Sequence, residues 1–284
     1  MRWKGRRQST NVDDRRRAGG RRAGGLKLGG GIGTIVLVLV AMYFGIDPQV
    51  VLQATGGGAT APAPQRPISA AEEERAAFTR VVLAETEDVW NAIFAAGGEN
   101  YAEPTLVLFS GSTPTACGYG QAAMGPFYCP ADRQVYIDLS FFDQLARRFG
   151  APGDFAQAYV IAHEVGHHLQ TLLGISQQVH SQRRAVSEAE GNRLSVRQEL
   201  QADCFAGIWA HHAERARLLE AGDIEEALRA ASAIGDDTLQ RRSSGRVVPE
   251  SFTHGTSEQR VRWFRRGFDS GNMNECDSFS ARSL

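Results

Sequence analysis

Apolar residues crowd without a break in one stretch of the chain and recur at helical or strand spacing elsewhere. From Leu26 to Ile46 the only charge is Lys27, and Ile32 to Ile46 has none. At helical rise residues 26–46 extend about 30 Å, enough to cross a bilayer core. Asp47-Pro48 follows, with no small-residue cleavage site, so the pattern predicts an uncleaved transmembrane helix rather than a secretory signal. Residues 47–68 hold Gly56-Gly57-Gly58, Pro62, Pro64 and Pro67, a flexible linker. Helical spacing then begins. Ser69 and Glu72 are placed as a capping box, and a helix is expected from Ala70 to Ala96, stopped by Gly97-Gly98. Pro104 to Phe109 and the alternating Arg133 to Leu139 read as strands. Further helices are expected over Phe141–Phe149, from an Asp154 cap to Leu173, over Arg193–Ala216, from Asp223, and from a second capping box at Thr256/Gln259 through Arg266. Few strands and many helices give an α+β domain, mainly helical, over residues 69–284.

Composition and charge assign a topology to this pattern. A chain that is 42% hydrophobic and 22% charged is globular, which excludes a mostly disordered or multi-span protein. Residues 1–27 carry ten Lys/Arg against Asp13 and Asp14, a net of +8, so the rest carries −9 of the total −1. So acidic a body is unsuited to nucleic acid. By the positive-inside rule, residues 1–25 are expected as a basic cytoplasmic tail, with the domain beyond the membrane, periplasmic or otherwise extracytoplasmic. Cys117, Cys129, Cys204 and Cys276 all follow the apolar stretch, and an even count in an exported domain predicts two disulfides. Of three pairings, Cys117–Cys129 is favoured because the two bracket one loop, which leaves Cys204–Cys276.

The strongest chemical signal is His163-Glu164-Val165-Gly166-His167. Histidines at i and i+4 stand on one face of a helix and can bind one zinc ion, with Glu164 beside the metal as general base. Gly166 leaves room for another element to approach. The pattern that continues to a third histidine is excluded, because Gln170 and Leu173 stand where it needs Gly and His. Glu199 and Asp203, four apart in a largely apolar segment, form a second pair on one helix face. Glu199 is the expected third metal ligand, and Asp203 the acceptor for the outer N–H of a ligand histidine. His254 is a candidate donor to a developing oxyanion, with Arg260, Tyr136 and Tyr159 as weaker candidates. His168, His180, His211 and His212 read as surface or supporting residues.

These segments together resemble the bacterial neutral zinc metallopeptidases of the YpfJ-like family, within the gluzincin-like zincins. The resemblance spans roughly residues 70–280. It includes Tyr128-Cys129-Pro130, Gln134 to Asp138, Gly153 to Tyr159, His163 to Gln170, Glu199 to Gly207 and Thr253 to Ser257. It implies a zincin-like domain with a small sheet beside the motif helix, His163 and His167 as zinc ligands and Glu164 as base. By similarity to gluzincins, Glu199 is the third ligand and Asp203 the carboxylate four residues on.

The expected function is a single-pass, inner-membrane endopeptidase using one Zn2+ to hydrolyse a peptide or protein substrate. Strand Val135–Leu139 is the expected edge for an extended substrate. The alternative is an envelope scaffold or binding module with a structural metal, which would fill all four coordination positions with protein ligands.

Overall fold

A computed structural model describes residues 1–17 and 67–284 of the chain. Two helices form its centre. Helix α1 (Ala70–Ala96) starts at Ser69, whose side chain accepts from the Glu72 backbone N–H at 3.2 Å. Helix α3 (Asp154–Leu172) carries the histidine motif and is buried along most of its length. The two pack together, and α5 (Glu188–Arg215) crosses both. Between them in the chain lie β2 (Thr105–Phe109), β3 (Ser112–Thr115), β4 (Gly118–Gln121), β5 (Phe127–Cys129), β6 (Gln134–Asp138) and α2 (Ser140–Arg147). After α3 come α4 (Ile175–Arg183), α5, α6 (Asp223–Ala233), α7 (Asp236–Ser244) and α8 (Ser257–Ser270). The capping box of α8 is formed in both directions between Thr256 and Gln259.

A strand from the N-terminus, β1 (Val12–Asp14), completes a four-stranded sheet in the order β1-β2-β6-β5. β1 and β6 run parallel to β2, and β5 runs antiparallel to β6. Alternation sorts the side chains of these strands onto two faces. Leu106, Leu108, Val135 and Ile137 join the main core with Phe155 and Tyr159 of α3. Val107, Phe109 and Tyr136 form a smaller cluster with Phe127 and Cys129 on the other face. The strand expected at Val135–Leu139 therefore has neighbours on both sides, and among the described residues β1 and β5 are the edge strands.

The N-terminal segment overturns the expected membrane topology. Residues 1–17 are part of the domain: Val12, Asp13 and Asp14 pair with Leu106, Val107 and Leu108. Their basic side chains meet the acidic face of α1, Arg6 with Glu85 at 2.9 Å, Arg7 with Glu87 at 2.9 Å and Arg16 with Glu73 at 2.8 Å. Arg16, almost fully buried, also donates to the Glu72 carbonyl at 3.2 Å. A single crossing over 26–46 would put residues 1–17 and the domain on opposite sides of a membrane, which this packing forbids. Among the described residues no helix is long and apolar enough to cross a membrane. The expected span at 26–46, and nearly all of the linker at 47–68, lie outside the described residues. The single-pass inner-membrane topology with a cytoplasmic tail is thus corrected. Over residues 1–17 the basic charge is complementarity within one domain.

Two disulfides, Cys117–Cys129 and Cys204–Cys276, close loops with sequence separations of 12 and 72. The first ties the β3–β4 hairpin to the end of β5. The second ties the segment after α8 to α5, where the helices already touch through bare backbone. A Cβ added at Gly207 would lie 2.0 Å from the Phe264 carbonyl oxygen, and one at Gly267 would lie 1.9 Å from that of Cys204. Only glycine permits this spacing at either position.

Candidate metal centre and active site

Helix geometry brings the motif histidines together. His163 and His167, one turn apart on α3, have ring centroids separated by 4.8 Å. α5 supplies Glu199 from the opposite side, and it can come close because position 166 is glycine. A Cβ there would stand 2.9 Å from the Ala202 carbonyl oxygen. Glu199 reaches both inner nitrogens, His163 Nε2 at 3.2 Å and His167 Nε2 at 3.4 Å. The three donor atoms lie within 4.8 Å of one another.

Each outer nitrogen has its own acceptor. His163 Nδ1–H donates to Asp203 Oδ1 at 2.8 Å. His167 Nδ1–H donates to Gln170 Oε1 at 2.9 Å, and Gln170 is itself held by the Gln198 carbonyl at 2.6 Å. Such acceptors fix the tautomer that turns Nε2 inward as a lone pair. Two imidazoles and a carboxylate converging, each imidazole backed by an acceptor, is the donor chemistry of a zinc site.

Asp203 is fully buried and satisfied on every side. It accepts from Tyr159 Oη at 2.5 Å and from Arg260 Nη2 at 2.9 Å and Nε at 2.8 Å, besides His163. Burial opposes its ionisation, but Arg260 and His163 outweigh burial and bring its pKa down to about 2. Burial likewise opposes protonation of His163, yet Asp203 and Glu199 raise it to about 9. His167 is also raised, by Glu199 against its burial. Against the same penalty, the two histidines hold Glu199 well below the usual carboxylate range. The cluster therefore draws positive charge inward, the field a divalent cation needs.

Glu164 is buried at the same cavity and makes no hydrogen bond to protein among the described residues. Burial raises its pKa above the ordinary carboxylate value, against the pull of both histidines. His254, half-exposed at the cavity wall, accompanies Asp236. Asp236 Oδ1 accepts from His254 Nδ1 at 3.2 Å, and Oδ2 takes the backbone N–H groups of Thr253, His254 and Gly255. That hydrogen bond raises the His254 pKa and leaves Nε2 as the other donor. The cavity measures about 550 Å³, and Phe127 and Tyr128 of β5 form one wall.

Other expectations are corrected. Arg260 and Tyr159 reach the cavity, but their polar atoms are committed to Asp203, so neither is free to donate to a substrate. Tyr136 donates to Asp132 Oδ2 at 2.7 Å on the far face of the sheet. His168 is buried; its Nε2–H donates to the Ala102 carbonyl at 2.5 Å, and its Nδ1 accepts from Tyr128 Oη at 3.2 Å. Burial lowers its pKa to about 4, so this neutral ring braces β5 against α3. His180 lies on α4, where a polar loop was expected, and faces the cavity. His211 donates to the Phe268 carbonyl at 2.7 Å, and neither it nor His212 lines the cavity. Gln170 and Asp236 were missed as supporting residues. Only the i+3 spacing of Gln170 from His167 could have drawn attention to it.

Comparison with known proteins bears on this geometry. A family model described as "Putative neutral zinc metallopeptidase" matches residues 1–279. The chain belongs to this family. It is 55% identical to the uncharacterized protein YpfJ of Escherichia coli (strain K12), over 98% of this chain and 99% of that protein. It is 45% identical to the uncharacterized protein Rv2575 of Mycobacterium tuberculosis (strain ATCC 25618 / H37Rv), over 65% of each. No solved structure matches the chain. Family membership implies zinc as cofactor and suggests a peptide or protein as the class of substrate. The match begins at residue 1, consistent with an N-terminal strand that is part of the sheet.

Proposed function

We propose that the protein is a zinc-dependent endopeptidase in which His163, His167 and Glu199 hold one ion and Glu164 is the general base. The convergence of two imidazole nitrogens and one carboxylate within 4.8 Å carries this reading. Zinc held by this set would supply a Lewis acid for the scissile carbonyl and would lower the pKa of a water toward about 7. Glu164, with no protein hydrogen bond to give up, takes the proton of the attacking water and passes it to the leaving amine. His254, oriented by Asp236, donates from Nε2 to the carbonyl oxygen as negative charge develops there. Asp203 keeps His163 in the ligating tautomer, and Arg260 and Tyr159 keep Asp203 in place. An extended substrate adds to the free edge of β5, in place of the internal strand first expected. Three protein donors leave a position for chemistry, which favours this reading over a structural metal with four protein ligands.

The test is zinc analysis together with cleavage of a peptide library by the full chain, beside Glu164→Gln. One bound zinc with cleavage in the wild type, and one bound zinc without cleavage in the variant, is the expected result. Cleavage that survives both Glu164→Gln and chelation would overturn it.

A further inference from the structure

The walls of the cavity differ in chemistry. Phe141, Phe149, Val160, Ile234 and Leu239 give it apolar lining. α4 lines it with Ser176, Val179, His180 and Arg183. From Ile175 to Arg184 there is no Asp or Glu. The other cationic groups at the cavity are already engaged: His163 and Arg260 by Asp203, His167 by Glu199, His254 by Asp236. Arg183 and His180 have no carboxylate or hydrogen-bond partner among the described residues. The Arg183 stem is placed by α5. It runs past Gly191, where an added Cβ would stand 3.8 Å from both Cγ and Nε.

We propose that Arg183, with His180 beside it, forms a carboxylate-binding subsite on the α4 side of the cavity. This rests on the peptidase reading and deepens it. The favoured substrate carries a carboxylate, from an acidic side chain or a free C-terminus, on that side of the cleaved bond. A guanidinium suits this task because its planar fork can meet both carboxylate oxygens. The apolar lining offers no such partner, so the carboxylate also sets which way round the peptide lies. Arg183 is exposed, so water and salt weaken the pair, and the expected preference is about five-fold.

The experiment uses the zinc-loaded full chain and matched peptides that carry Glu, Gln or Lys at each position flanking the cleaved bond. Each is made as free acid and as C-terminal amide. Wild type is expected to show kcat/KM about five-fold higher for Glu over Gln at one position, or for acid over amide, carried mainly by KM. The side-chain arm and the terminus arm identify the source of the carboxylate. The preference should shrink at about 0.5 M salt, where the screening length is only a few ångströms. Arg183→Ala should remove it, Arg183→Lys keep most of it, and Arg183→Glu turn it toward Lys. An unchanged ratio in Arg183→Ala, or no preference in either arm, would overturn the subsite. The same peptides are titrated by fluorescence anisotropy onto Glu164→Gln. A binding preference that depends on Arg183 but comes without any wild-type cleavage supports the subsite and overturns the peptidase reading. Equal binding of Glu and Gln, and of acid and amide, overturns the subsite whatever is cleaved.

Discussion

Helix α3 carries two clusters of acidic and basic groups, and they have opposite characters. At its N-terminal end Asp154, Asp223 and Glu226 bring carboxylate oxygens within 4.8 Å of one another. Each already has a partner. The Met1 amino group lies 3.2 Å from Asp154, 2.9 Å from Glu220 and 3.3 Å from Asp223. Glu226 accepts the Phe155 backbone N–H at 3.1 Å, so it takes the capping role expected of Asp154. Against burial, these carboxylates raise the amino-group pKa to about 10. Nine residues into the helix the balance is different. There two histidine nitrogens and one carboxylate converge, and the outer acceptors point away from the centre. Proximity of carboxylates is thus a poor sign of a metal. Convergent lone pairs, each backed by an acceptor, are the better one.

The largest effects should separate the two clusters. His163→Ala or Glu199→Ala is expected to lose zinc and activity together, measured by metal analysis and peptide cleavage. Glu164→Gln should keep one zinc per chain while kcat falls by about 10²–10⁴. Zinc retained at full occupancy in Glu199→Ala would mean that the third donor is misassigned.

Next comes the layer behind His163. Asp203→Ala strands the buried Arg260 charge and should lower unfolding stability by about 3–5 kcal/mol in a denaturant titration. Asp203→Asn, which keeps the shape, should weaken zinc binding by about 10–100-fold in a chelator competition. At the other end of the helix, Asp223→Asn removes one carboxylate charge beside the amino group. It should cost about 1 kcal/mol or less and leave zinc affinity where it was. A drop in zinc affinity from Asp223→Asn would erase the distinction between the clusters.

A change of pH sharpens the comparison without any substitution. The His163 pKa is raised from 6.5 to about 9, so its proton adds to the stability of the metal-free protein below about 6.5. That contribution is lost as pH rises through about 9. Zinc competes with the same proton, so its affinity should climb about tenfold per pH unit from 7 to 9 and then level off. Chelator competition at stepped pH measures this; an affinity flat from 7 to 9 would refute it.

Much of this was readable before the structure, where local rules governed. Ser69 and Thr256 cap where their spacing says they should, and α1 runs over Ala70–Ala96 as expected. His163/His167 and Glu199/Asp203 are each one turn apart, so a single helix period puts each pair on one face. What failed depends on tertiary pairing. α4 and α7 are short and largely polar, without an apolar stripe to announce them, and the chain turns at Gly174 straight from the end of α3 into α4. α5 begins at Glu188, five residues before the expected start, because Ser187 caps a polar first turn. The N-terminal arginines read as topology signals because their partners on α1 lie some 60 to 80 residues away. Arg260 looked like a free donor because nothing local marks Asp203, 57 residues earlier, as its acceptor.

The close approach of α5 and α8 at Gly207 and Gly267 bears on how heat should dismantle the site. Asp203 sits on α5 one turn before Gly207, and Arg260 sits on α8 two turns before Gly267. At Gly207 and Gly267 these helices meet main chain against main chain, with no side chain at either point that could change rotamer and yield gradually. The Asp203–Arg260 clamp therefore has no soft mode through which to slip while the helices stay together. Loss of the ion on warming should coincide with cooperative melting of the whole domain, so a zinc-release trace and an unfolding trace would overlay as one transition.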